Sequence, residues 1–221
     1  MYISDNSALT DGRGLCNVTV GGSIEITLGG LTQLSLSFCQ TPIIASKAGL
    51  QATVNVYVLN PLSYGPIETW DASLVTDMSE IFESKATFDA DLGGWATSQV
   101  TTMYQMFYNA KAFDNGGQAL AFDTSSVTTM QGMFRIANAF DQPVAFDTSS
   151  VTTMYRMFYS ANAFDQPVAF DTSSVTTMDQ MFHNANAFDQ PVAFDTSKVT
   201  TMQSMFSDAK AFDQPVAFDT S

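Results

Sequence analysis

The stretch Phe146-Asp147-Thr148-Ser149-Ser150-Val151-Thr152-Thr153-Met154-Tyr155-Arg156-Met157-Phe158, continued by Ala161-Asn162-Ala163-Phe164-Asp165-Gln166-Pro167-Val168-Ala169-Phe170, decides the fold, because the chain repeats it. Six phenylalanines mark its copies: Phe82, Phe107, Phe134, Phe158, Phe182 and Phe206, spaced 25, 27, 24, 24 and 24 residues apart. The 27-residue step contains Gly116-Gly117-Gln118, which reads as a loop inserted between Phe113 and Phe122. An array of this period signals stacked supersecondary units.

Within one unit Val151, Met154, Met157/Phe158, Ala161 and Phe164 follow one another at gaps of three and four, the spacing of one helix face. Asp147, Thr148 and Ser149, just ahead, offer N-cap oxygens and negative charge at the helix start. Val168 and Phe170 alternate with Ala169 as in a short strand, and Pro167 can open that strand without losing a needed donor. The expectation is an α/β fold, a right-handed, leucine-rich-repeat-like solenoid of about six strand–helix units of 24–27 residues. Strands stack into a parallel sheet on one side, helices lie on the other, and neighbouring units bury each other's apolar faces.

Residues 1–66 do not repeat. Asn17-Val18-Thr19-Val20, Ser23-Ile24-Glu25-Ile26-Thr27-Leu28, Leu34-Ser35-Leu36-Ser37-Phe38 and Ala52-Thr53-Val54-Asn55-Val56-Tyr57-Val58 all alternate apolar with polar, punctuated by Gly21-Gly22, Gly29-Gly30 and Pro61. This predicts an N-terminal all-β head over 1–66, capping the first coil or serving attachment, ahead of a solenoid over 67–221.

The array carries a family resemblance. Trp70-Asp71-Ala72-Ser73-Leu74-Val75-Thr76-Asp77-Met78, then Ile81-Phe82, Phe88 and Gly94-Trp95, resembles the mycoplasma-type surface-lipoprotein repeat (domain of unknown function 285). That repeat is similar to the BspA-like leucine-rich repeats of bacterial and protist surface proteins. The spacing of Val75, Met78, Phe82 and Phe88 recurs at Val100, Met103, Met106/Phe107 and Phe113. Later copies depart from the pattern, with Phe where the family has Trp and a shorter turn. The resemblance implies a leucine-rich-repeat-like fold at a cell surface, with adhesion or recognition as its role, and carries no catalytic residues.

Composition narrows the classes further. Of 221 residues, 22 are acidic and 8 basic, a net charge of −14, while 45 % are hydrophobic. Without clustered Lys and Arg to displace phosphate counterions, nucleic acid is a poor partner, and so is an anionic membrane. No apolar run reaches the roughly 18 residues of a membrane span. Met1-Tyr2-Ile3-Ser4 shows no signal peptide. Either Met1 is native and the protein leaves the cytosol another way, as inside a virion, or the chain begins after a removed leader. Cys16 and Cys39 suit a disulfide in an oxidising compartment, or two free thiols. Asn17-Val18-Thr19 is a glycosylation sequon.

No catalytic constellation emerges. The methionines recur beside Phe at core positions, and His183 has no His or Cys neighbours from which to build a zinc site. No cofactor is implied. Aspartates instead form ladders: Asp141, Asp165, Asp189 and Asp213, and Asp147, Asp171, Asp195 and Asp219. Stacked about 4.8 Å apart, such charges repel by about 1 kcal/mol in water and more near a low-dielectric surface. Hydrogen bonds from backbone N–H groups, as caps or Asx-turns, are the preferred offset; calcium between the rungs is the other.

Comparing the copies singles out the residues flanking Met-Phe, which vary while core positions do not. They include Tyr104, Tyr108, Arg135, Tyr155, Arg156, Tyr159 and His183, expected on an outward helix face as a ligand or partner surface. Tyr and Arg are what recognition surfaces favour; drift at solvated sites is the other reading. The sequence therefore predicts a non-enzymatic extracellular or cell-surface adhesion or recognition module with a protein or glycan partner. The alternative is a structural subunit of an extracellular filament, appendage or virion. In that case the end of the array, with Phe212, Val216 and Phe218 on an open coil, is closed by further repeats, a partner or the head of the next molecule.

Overall fold

A computed structural model describes residue 42 and residues 44–219. Successive repeats lie in register, each hydrogen-bonded to the next. On one side β1 (Val192–Asp195) and β2 (Val216–Asp219) pair in parallel, with Val192 opposite Val216. The same contact recurs as a single parallel bridge between Leu120 and Val144. Pairing here needs only four residues, and the prolines that open each Pro-Val-Ala-Phe segment sit where no ladder donor is required. On another side parallel bridges run Asp77, Thr102, Thr129, Thr153, Thr177, Thr201, one residue from each repeat.

The helix expected in each unit does not form. Residues 155–160 are a chain of turns, with Arg156 and Ser160 left-handed at φ 56° and 54°. Within the unit, Met157 N–H donates to Met154 O and Tyr159 N–H to Arg156 O, closing i→i+3 turns. The intervening N–H groups leave the coil: Arg156 donates to Asp179 O, Phe158 to Met181 O and Ser160 to His183 O, at 2.8–3.0 Å. A helix sends every N–H four residues back along its own segment. Here a neighbouring coil presents an identical row of carbonyls, and half the donors use it instead. Val151, Met154, Met157, Phe158, Ala161 and Phe164 all still face inward and are fully buried. Short polar residues fill most left-handed sites, as at Ser84, Asn109, Ser160, Asn184 and Asp208, where the conformation is tolerated best.

The interior is a double file of phenylalanines. Phe107, Phe134, Phe158 and Phe182 stack coil upon coil at 5.4–5.5 Å. Phe113, Phe140, Phe164 and Phe188 form a second file at 5.8–6.0 Å. The files touch inside each coil, as between Phe158 and Phe164 at 4.1 Å. Offset stacking of this kind adds to the area each ring buries.

Residues 44–66 close the first coil, and there the strand expected over 52–58 is replaced by α1 (Lys47–Leu59). Ser46 caps it, its side chain accepting from Gly49 N–H. Leu50 and Val54, four apart, are fully buried, and Tyr57 packs edge-to-face with Trp70, ring centres 5.2 Å apart. Val54, Val56 and Val58 satisfy an alternating strand, whereas Leu50, Val54 and Tyr57 satisfy a helix face, and packing onto the first coil selects the helix. The head is therefore not all-β. Lys47 ties α1 to Asp77 at 3.4 Å, and Ile44 N–H donates to Asp71 O. The strands expected over 17–20, 23–28 and 34–38, the sequon, and Cys16 with Cys39 lie outside the described residues. Gly116 and Gly117 turn as the inserted loop expected of them, with φ 59° and 74°.

Candidate recognition surface

The variable residues stand on the outer side of the turn chain, not on a helix. Register brings Tyr108, Arg135, Tyr159 and His183 into one row, because each takes the same place in successive repeats. The Arg135 guanidinium lies 4.7 Å over the Tyr108 ring and 5.4 Å from the Tyr159 ring. His183 stacks on Tyr159 at 4.8 Å with 16° between the rings. Arg156 folds over Tyr155 at 4.7 Å and over Tyr159 at 5.3 Å. Tyr159 thus gathers Arg135, Arg156 and His183 around one ring, an arrangement its π-face stabilises by cation–π attraction. Tyr104, two repeats before Tyr155, shares that residue's row but makes no ring contact of this kind. His183 is not simply outward: its side chain is 21 % exposed, with Nε2 4.0 Å from Asp208 Oδ2.

The aspartate ladders are hydrogen-bonded. Asp141 Oδ1 accepts from Asp165 N–H and from Gln166 Nε2, both at 2.9 Å. Asp165 does the same for Asp189 N–H and Gln190 Nε2, and Asp189 for Asp213 N–H and Gln214 Nε2. The backbone N–H of Asp213 and the amide of Gln214 hold the Asp189 carboxyl below its ordinary value. In the other ladder Asp147 accepts from the Ser149 hydroxyl and N–H at 2.6 and 3.0 Å, an Asx-turn, and that pair of bonds lowers its pKa. Donors thus meet the stacked charge, and among the described residues no cluster of His, Cys, Asp or Glu is arranged to hold a metal.

Sequence reasoning passed over the amide and hydroxyl partners of these ladders. Gln166, Gln190 and Gln214 donate to the preceding aspartate. Buried Thr124, Thr148 and Thr172 donate to the next coil's Asp147, Asp171 and Asp195 carbonyls at 2.9 Å. Their signal was present, since each recurs at a fixed place in the later copies. In the last described coil Phe212 and Phe218 are half-buried and Val216 is 48 % exposed.

Among the described residues no helix is long and apolar enough to cross a membrane. Neither the curated proteins nor the solved structures contain a match to this chain. A family model described as "Mycoplasma protein of unknown function, DUF285" matches residues 60–143 and 145–221.

Proposed function

We propose, from the premise that the chain belongs to the DUF285 family, that it is a non-catalytic recognition module at a cell surface or outside the cell, built on a repeat solenoid of leucine-rich-repeat type. The observation that carries this reading is the row around Tyr159. Repeats that keep their core unchanged depart from one another here, and the departures assemble Tyr108, Arg135, Tyr155, Arg156, Tyr159 and His183 into one continuous patch. Rigid aromatic and arginine side chains held by neighbours bind with little further loss of conformational freedom.

A screen of the full chain against glycan and protein arrays supplies the test. The variant Tyr108→Ser/Tyr159→Ser should keep the fold and lose the partner that the screen identifies. A folded variant that binds undiminished would remove the patch from the reading. A second reading, a structural subunit of a filament, appendage or virion, draws on the coil-to-coil hydrogen bonds that stack near-identical units in register. Electron microscopy of the purified protein separates the two, showing dispersed rods for a recognition module and polymers for a subunit.

A further inference from the structure

We infer that the row around Tyr159 takes an acidic glycan, whose carboxylate or sulfate is held by Arg135 and Arg156; this rests on the reading of that row as a recognition surface. Of the chain's three arginines, two lie here, in a molecule of net charge −14. Both guanidinia approach the same ring, at 5.4 and 5.3 Å, and His183 lies against it as well. Like charges gathered this closely repel. Among the described residues neither arginine has an ion-pair partner, although the chain carries 22 acidic residues. Arg135 Nε is buried with no hydrogen-bond partner, while Arg156 Nε donates to Gln180 Oε1 at 2.6 Å. The carboxylates that border the row are engaged elsewhere, Asp208 beside His183 and Asp179 accepting from Thr201 Oγ1 and Gln203 N–H.

Three features select the class of ligand. The central ring is engaged by cations: Tyr159 lies against Arg135, Arg156 and His183, while Tyr108 carries Arg135 and Tyr155 carries Arg156. A neutral sugar that binds by stacking would have to compete with those groups for the Tyr159 ring. The backbone is also spent. Ile136 N–H donates to Tyr159 O, Arg156 N–H to Asp179 O and Ser160 N–H to His183 O, so these donors are not open to an added peptide strand. Beside the cations lie two pairs of amides and hydroxyls, in which Asn109 Nδ2 donates to Ser84 Oγ and Asn184 Nδ2 to Ser160 Oγ, with Ile136 between the pairs and Asp208 at the end of their row. Guanidinium forks that read a planar anion, next to side chains that read hydroxyls, match a saccharide bearing acid groups.

The test titrates the ¹⁵N-labelled full chain with a chondroitin sulfate oligosaccharide, a dextran oligosaccharide of equal length and an oligoglutamate peptide, reading the Arg Nε–Hε signals. The sulfated saccharide should shift the Arg135 and Arg156 signals, and raising the salt from about 50 to about 300 mM should weaken it by screening. Arg135→Gln/Arg156→Gln should bind at least about tenfold more weakly. Arg135→Lys/Arg156→Lys, which keeps charge and stem but loses the fork, should fall between. Dextran or oligoglutamate binding as tightly as the sulfated saccharide would overturn the acidic-glycan assignment and leave the row a recognition surface for another ligand. No shift with the sulfated saccharide, or unchanged affinity in the folded double Gln variant, would overturn it outright. Undiminished array binding by Tyr108→Ser/Tyr159→Ser would instead sink the surface itself.

Discussion

Ile136 sits at φ 60°, in the left-handed site that its counterparts in other repeats fill with Ser84, Asn109, Ser160, Asn184 and Asp208. A β-branched side chain fits this conformation worst, because its Cβ crowds the following carbonyl. Ile136→Asn should therefore stabilise the protein by about 1 kcal/mol, a rise of about 2–4 °C in melting temperature for a chain this long. Calorimetry that shows no rise would mean that the isoleucine's own packing outweighs the strain. Asp165 presents the opposite case. Its Oδ1 receives both the Asp189 N–H and the Gln190 amide, 2.9 and 2.8 Å away. Asp165→Ala should cost about 1–3 kcal/mol by leaving those donors unmet. Asp165→Asn keeps an acceptor oxygen and should cost less. Equal losses in urea denaturation would show that charge, not acceptance, matters at this rung.

The turn elements mark how far the sequence could be read. Gaps of three and four identified the buried residues, from Val151 through Phe164, because inward-facing positions recur at that spacing in i→i+3 turns as in helices. Which hydrogen bonds the segment makes was hidden, since half of its N–H groups bond to a coil 23 residues further on, as Phe158 does to Met181 O. No single unit displays that partner. The strand over 52–58 failed for a related reason: Val54, Val56 and Val58 fit the strand period while Leu50, Val54 and Tyr57 fit the helix period, and the Trp70 face decides between them. Membership of the variable row around Tyr159 was legible by comparing copies; its stacking was not, because that depends on the rise between coils. The aspartate turns give a pH test. Bonds from the Ser125, Ser149 and Ser173 side chains and then their N–H groups lower the Asp123, Asp147 and Asp171 carboxyls below the ordinary 3.8. A depressed folded pKa adds stability above the unfolded value and loses it as pH falls through the folded one. Urea midpoints should thus hold steady between about pH 7 and 5 in this respect and drop below about pH 3.8. Ser149→Ala should soften that drop. A Ser149→Ala protein with an unchanged acid limb would remove these turns as its cause.

At the scale of the molecule, a single buried cluster runs without a break from Ile44 and α1 through Met205. No coil owns a separate core, and half of each coil's turn donors end on its neighbour, so one coil alone would leave those donors and its phenylalanines exposed. Stability in such an array is close to a sum of unfavourable single-coil terms and favourable nearest-neighbour terms. Strong neighbour terms should make the described array unfold as one unit. Phe134 tests this, because it links three coils: it lies 5.5 Å from Phe107, 4.1 Å from Phe140 and 5.4 Å from Phe158. Phe134→Ala removes a fully buried ring from two interfaces at once and should cost about 3–5 kcal/mol. Its signature should also be directional. With the middle weakened, coils on either side lose their coupling, and native-state hydrogen exchange should resolve two blocks where the parent shows one. The amides of Phe107 and Phe182, bonded to Met133 O and Met205 O respectively, report on the two sides. If both amides exchange with the same reduced free energy in Phe134→Ala, the coupling runs through the backbone ladders rather than the phenylalanine files.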